Sequence, residues 1–265
     1  MFALEFMRNA YAAGTLVALV CGLVGVFAMA RRLSFLTHTL SEIGFSGASF
    51  AIWIGIAPLN GMLFFTLLSA IFTGKLNKRK EQSDAVTSAV SALFMGLGVL
   101  FLSLSNKNSS YATNILFGSI VGIDQAEVNQ ILLLAIAVLA AMLLLYRRLK
   151  FTSFDPEGAS IIYKHENFLS ILFLIILALS VSISAQIVGS LLVFVLITLP
   201  AASSQNFCRS VSGQIAASMT LALLGTWTGL YLSYVTNWPV TFFISSFETA
   251  AFLLSLLGKR LMFRT

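Results

Sequence analysis

Charge is scarce in this sequence. Ten acidic and sixteen basic residues make up 10% of its 265 positions, while 58% of the side chains are apolar; an ordinary soluble domain carries about 25% charged residues. A soluble globule is excluded, and the chain reads as a protein of the lipid bilayer. Cysteine is equally sparse. Cys21 lies within an apolar run and Cys208 at the polar end of another, which offers neither a disulfide framework nor a thiolate metal cluster. Both read as packing residues. No Gly-x-x-x-x-Gly-Lys-Ser/Thr, His-Glu-x-x-His or Gly-x-Ser-x-Gly occurs. The first absence removes ATP binding by a phosphate loop, and the other two argue against a membrane-embedded hydrolase. The chain is therefore not expected to be an enzyme, and the energy for any work it does comes from elsewhere.

What charge there is sits at the ends of apolar runs. The formal net charge is +6, yet the basic residues form no patch of the kind that binds nucleic acid. They read as topology. Placing Arg31-Arg32, Lys75 to Lys80, Arg147 to Lys150, Lys164, Arg209 and the Lys259-Arg260-Arg264 tail on the cytoplasmic side puts fourteen of the sixteen Lys and Arg inside, as the positive-inside rule requires. Only Arg8 and Lys107 remain outside. Ala28-Met29-Ala30 looks like a signal-peptidase site, but the run before it is too long and Arg31-Arg32 follows as a stop-transfer flank. We keep it as a mature span.

The runs themselves have the length of membrane helices. They lie near 11–30, 34–56, 58–74, 84–105, 127–146, 167–184, 186–203, 212–235 and 239–257. The expectation is an all-α polytopic bundle of about nine spans, one transmembrane domain over residues 1–265, with the N-terminus outside and the C-terminus cytoplasmic. Tyr111 to Ile123 is apolar but too short to cross, and Gly118 and Gly122 suit a re-entrant or interfacial segment packed on protein. Small residues such as Gly22, Gly25, Gly47, Gly189 and Gly225 recur within the runs, as close packing of membrane helices requires.

Ionisable residues inside such runs are the candidates for function, since each costs at least about 2.5–3.5 kcal/mol to place there. Thr37-His38-Thr39-Leu40-Ser41-Glu42 sets an imidazole and a carboxylate four residues apart, one turn along one helix face. At about 1.5 Å per residue, Glu42 falls near mid-depth. Glu248 is nine residues from Pro239 and eleven from Lys259, so it falls at half depth as well. Nitrogen and carboxylate ligands together suit zinc, manganese or iron better than calcium or magnesium. A transported divalent cation fits this chemistry, while a proton relay uses the same residue types, and a plain hydrogen bond between His38 and Glu42 is the bland reading. The long polar insert after Arg147 contains Phe154-Asp155-Pro156-Glu157-Gly158-Ala159, in which Asp155 suits an N-cap and Pro156 the first helical position. Such a short helix is either a solvated connector or a docking surface for a cytoplasmic partner.

Taken together, several segments resemble the permease subunits of the bacterial metal-ion ABC transporters that import zinc, manganese or iron. They are Phe6-Met7-Arg8-Asn9-Ala10, Arg31-Arg32-Leu33-Ser34, Leu116-Phe117-Gly118-Ser119-Ile120-Val121-Gly122, Phe154-Asp155-Pro156-Glu157-Gly158-Ala159, Val188-Gly189-Ser190-Leu191-Leu192-Val193 and Leu199-Pro200-Ala201-Ala202. Their order and spacing carry the resemblance. It implies a multi-pass permease of the bacterial plasma membrane, assembled as a dimer of two like copies on cytoplasmic ABC ATPase subunits and fed with metal by an extracytoplasmic binding protein. It holds no permanent cofactor, and the metal is cargo. The resemblance makes Asp155, Pro156, Glu157 and Gly158 the ATPase-coupling element. The family's second-span motif, Gly-Asp-Ala-Leu-Ser-His, sets Asp and His one turn apart as metal contacts. Here His38 and Glu42 stand at those positions in exchanged order, which keeps the donor chemistry and moves the nitrogen toward the cytoplasm. Glu248 has no counterpart in the family and is expected to serve as an extra ligand. The rival from another class is a secondary proton-coupled or cation transporter that works without an ATPase.

Overall fold

The computed structural model describes residues 5–76, 83–105, 115–118, 125–155, 158–159 and 166–262. Nine long helices run through them: α1 (Glu5–Ala30), α2 (Ser34–Ile54), α3 (Pro58–Leu76), α4 (Ser83–Leu104), α5 (Gln125–Phe154), α6 (Glu166–Val188), α7 (Ser190–Phe207), α8 (Val211–Thr236) and α9 (Val240–Met262). No strand occurs among the described residues. Each helix coincides with one expected apolar run. The limits differ where hydropathy and helix formation part company: α5 runs on to Phe154 through Arg147, Arg148 and Lys150, because Arg, Lys and Leu are good helix formers on either side of the hydrocarbon edge. Likewise the expected break near residue 185 falls instead at Gly189, whose φ of 85° ends one helix within an unbroken apolar run.

Seven of the nine, α1 and α4 through α9, are long and apolar enough to cross a membrane. α2, at 21 residues, has the length but not the apolarity, while α3, at 19 residues, carries a single charged residue, Lys75. In α2 the reason is a load of Ser34, Thr37, His38, Thr39, Ser41, Glu42, Ser46 and Ser49. Five of the six hydroxyls are buried, and three of them are satisfied by the backbone one turn earlier. Thr37 Oγ1 donates to Leu33 O at 3.0 Å, Thr39 Oγ1 to Phe35 O at 3.2 Å and Ser49 Oγ to Phe45 O at 2.8 Å, which lowers the cost of burying them.

α1 is the central helix, packed on α5, α6, α7 and α8. Gly22 and Gly25 let it approach the α8 and α7 backbones. α2, α3 and α4 form a second group in which Gly47 and Gly61 face each other: a Cβ on either would run into the other's carbonyl oxygen. Thr66 of α3 is hydrogen-bonded to Ser182 of α6 at 2.7 Å and joins the two groups. α7, α8 and α9 pack together on the other side of α1.

The α1–α2 connection is short and fixed. Leu33 N donates to Ala28 O at 2.9 Å and Arg32 N to Met29 O at 3.0 Å, the paired bonds of a Schellman turn. Arg32 holds the left-handed position at φ 57°, where glycine is the usual occupant. The other end of α2 uses the same pair of bonds, Ile56 N to Ala51 O and Gly55 N to Ile52 O, with Gly55 at φ 83°.

Candidate metal site

α2 presents two sets of polar side chains on two faces. Its small hydroxyls face the bundle, and Ser41 Oγ reaches across to donate to the carbonyl of Ser190 at the start of α7. His38 and Glu42 lie on the side that opens away from the chain, with side chains 41% and 17% exposed. His38 Nδ1 stands 3.6 Å from Glu42 Oε2. The ring of Phe194, on α7, meets the imidazole edge to face at 5.3 Å between centroids, which limits its rotation. Glu42 Oε2 is buried and accepts no hydrogen bond among the described residues.

Two ligand atoms each about 2.1 Å from one tetrahedral ion lie about 3.4 Å apart. The observed 3.6 Å thus needs little adjustment to admit a cation between imidazole and carboxylate. It is longer than a hydrogen bond but within the range of an ion pair. Beside Phe194, the α7 residues Leu191, Leu192 and Val195 line an apolar groove of about 640 Å³ with Phe117 and Phe242. The groove is bounded by α7, α9 and the turn at Phe117.

Ser41 and Ser190 also locate the α6–α7 break. It lies a third of the way along α2, not at its far end near Ile54, and α7 descends from there antiparallel to α2, since Phe194 is opposite His38. A second chain segment meets the break. Residues 115–117 form one helical turn, and Gly118 follows at φ 78°. A Cβ on Gly118 would strike Ile187 O, Val188 C and Gly189 N; one on Gly189 would strike Leu116 O, Phe117 C and Gly118 N. Two of the motifs that carry the resemblance thus interlock backbone to backbone beside the His38 helix. The remainder of Tyr111 to Ile123 lies outside the described residues.

The structure does not bring Glu248 to this pair. It lies on α9 among α7 and α8, with none of its surface exposed. Neither carboxylate oxygen has a hydrogen-bond partner among the described residues, and Oε1 faces Gly225 so closely that a Cβ there would overlap it. No group of three His, Cys, Asp or Glu suited to a metal ion occurs among the described residues. In the segment expected to couple to an ATPase, Asp155 Oδ1 accepts from Gly158 N at 3.0 Å and Asp155 O from Ala159 N at 3.0 Å. That is the cap expected from the sequence. Pro156 and Glu157 lie outside the described residues.

Two participants escaped the sequence reading. Phe194 is one aromatic among 23 phenylalanines and has no spacing signal to His38. Arg31 served there only as a topology flank, yet its guanidinium donates to Ser153 Oγ and Thr152 Oγ1, both at 2.7 Å, and to Ser170 Oγ at 3.5 Å.

Comparison with known proteins agrees with this layout over almost the whole chain. Residues 3–259 match the model of a family described as the ABC 3 transport family. A membrane protein of Cyanophora paradoxa from the ycf23–apcF intergenic region is 32% identical over 90% of this chain and 80% of its own length. The manganese transport system membrane protein MntC of Listeria monocytogenes is 26% identical over 88% of this chain and 83% of its own. Among solved structures, PsaBC from Streptococcus pneumoniae in complex with a Fab has a similar chain, with a TM-score of 0.86 and 26% identity over 95% of this chain and 91% of that one.

Proposed function

The chain belongs to the ABC 3 transport family, and on that premise we propose that it is the membrane permease of an ABC importer that moves manganese or zinc, and less readily iron, into the cytoplasm. The observation that carries the metal is the His38–Glu42 pair, an imidazole nitrogen and a carboxylate oxygen 3.6 Å apart on one face of α2, the oxygen accepting no hydrogen bond among the described residues. Mixed imidazole and carboxylate donors favour these ions over calcium or magnesium. Two ligands leave an ion unsaturated, and a second copy of the chain, seated against the apolar groove by Leu191 and Val195, would close the pathway and supply the same two again. Glu248, sealed between α8 and α9, stands apart from this path.

In this reading the chain is a multi-pass bundle of the plasma membrane, N-terminus outside and C-terminus inside, with the α6–α7 break at Gly189 inside the bundle. α2 and α3 tolerate their polar residues because α4, α6 and α7 surround them. The Asp155–Gly158 segment docks on cytoplasmic ATPase subunits that supply the energy, and an extracytoplasmic binding protein delivers the ion. The test is uptake of Mn²⁺ and Zn²⁺ into vesicles containing the permease, with and without its ATPase and binding protein. ATP-dependent accumulation that needs all three supports the reading. Accumulation driven by a proton gradient without the ATPase would replace it with the secondary transporter.

A further inference from the structure

Arg31 joins three helices at the cytoplasmic end of the bundle. Its backbone is the last turn of α1, with Arg31 N donating to Phe27 O at 3.0 Å. Its side chain spans to α5 through Thr152 and Ser153 and to α6 through Ser170. The guanidinium lies 4.8 Å from the ring centre of Phe173, which is buried on α6. Thr152 and Ser153 are buried too. One turn earlier, Phe27 packs edge-on against Tyr146 and Phe154 of α5 and tilted against Phe173. The end of α1 is therefore clamped to the last two turns of α5 by both polar and aromatic contacts.

Each side of this clamp leads somewhere. On one side, Ser153 is two residues from Asp155, the cap of the segment read above as the ATPase dock. On the other, Arg31 is seven residues from His38, and the Schellman turn at Arg32 with the Thr37 N to Leu33 O bond of 2.9 Å leaves no slack between them. The arginine is chemically suited to a joint of this kind. Its planar fork holds Nε and Nη2 to adjacent residues at once, which a lysine ammonium on a flexible stem does not reproduce.

We propose that Arg31 is the positioning residue that transmits movement of the Asp155–Gly158 segment to the His38–Glu42 helix, so that ATP hydrolysis and metal passage stay in step. The inference rests on the permease reading given above. It assigns Arg31 no contact with metal or nucleotide; its role is to make α1, α2 and the end of α5 move as one piece.

Vesicles containing the permease, its ATPase and binding protein, supplied with Mn²⁺ or Zn²⁺, give the test: ions moved per ATP hydrolysed. In Arg31→Lys the ATPase should still co-purify and hydrolyse ATP, while ions per ATP fall about tenfold, within the range that packed networks carry. A purely structural role would lower yield and melting temperature but leave the ratio unchanged in whatever assembles, and that result overturns the proposal. If Arg31→Lys does not assemble, the double variant Thr152→Val with Ser153→Ala retains the arginine and removes its two closest acceptors. It should lower the same ratio, and a parental ratio there overturns the proposal equally. Failure of the parental complex to couple metal to ATP at all would instead strike the permease reading, and this inference with it.

Discussion

Gly118 and Gly189 each occupy the space where the other's side chain would be. Both are left-handed, at φ 78° and 85°, and a Cβ on either would fall on the other's backbone. Gly118→Ala and Gly189→Ala should each destabilise the protein, by about 1–3 kcal/mol for the backbone conformation and a further 1–3 kcal/mol or so for the overlap. Thermal unfolding in detergent measures it. A melting temperature unchanged in both variants would refute the interlock.

His38→Ala and Glu42→Gln should each lower metal uptake about tenfold or more, since even residues that merely orient ligands contribute about 10–100-fold to metal affinity. Assembly should persist, because the pair is partly exposed and its contact with a neighbouring helix is the single ring contact of His38 with Phe194. Glu42→Asp should be milder. Uptake at the parental rate in both variants would leave the pair a structural contact and move the ion path elsewhere.

Asp155→Ala removes the side-chain cap on Gly158 N, a loss of typically about 1 kcal/mol. The ATPase should co-purify more weakly, and Asp155→Asn, which still accepts the bond, should restore it. Equal retention in all three forms would make this segment a simple connector.

Glu248→Gln keeps the shape of the side chain and removes any charge. Because Glu248 lies apart from His38 and Glu42, metal affinity measured between about pH 6 and pH 8, the interval in which histidine changes charge, should match the parent. A weaker affinity, or a changed pH dependence, would instead place Glu248 on the ion path.

The same residue gives a packing test. Gly225→Ala sets a methyl group against the Glu248 carboxylate and the Phe247 ring, and overpacking of this kind costs about 1–3 kcal/mol. The double variant Gly225→Ala with Glu248→Ala should recover much of the loss, since residues in contact are not additive. Strict additivity of the two changes would show that they do not touch.

The helices were legible in the sequence because the bilayer fixes both the length and the composition of what crosses it. Their ends were less so: hydropathy marks the hydrocarbon edge, while the end of α5 at Phe154 and the break at Gly189 depend on helix propensity and on a backbone angle. His38 and Glu42 were found through spacing, since i and i+4 share a face on any helix. Glu248 stood out as a carboxylate within an apolar run, but its packing against Gly225 of α8 was not legible, because position along a helix says nothing about which way that helix faces. Arg31 could be read as a flank but not as a clamp. Its acceptors Thr152, Ser153 and Ser170 lie more than a hundred residues away, and hydroxyl residues are too common to signal themselves.

The contact between Gly47 and Gly61 bears on how the metal-facing helix can move. Where two backbones touch with no side chain between them, sliding drives carbonyl into carbonyl and separation opens a void that lipid cannot fill. α2 and α3 therefore behave as a single stiff hairpin, pinned to α6 through Thr66 and Ser182. Any displacement of His38 and Glu42 takes α3 along with α2 and is felt at α6 through that bond.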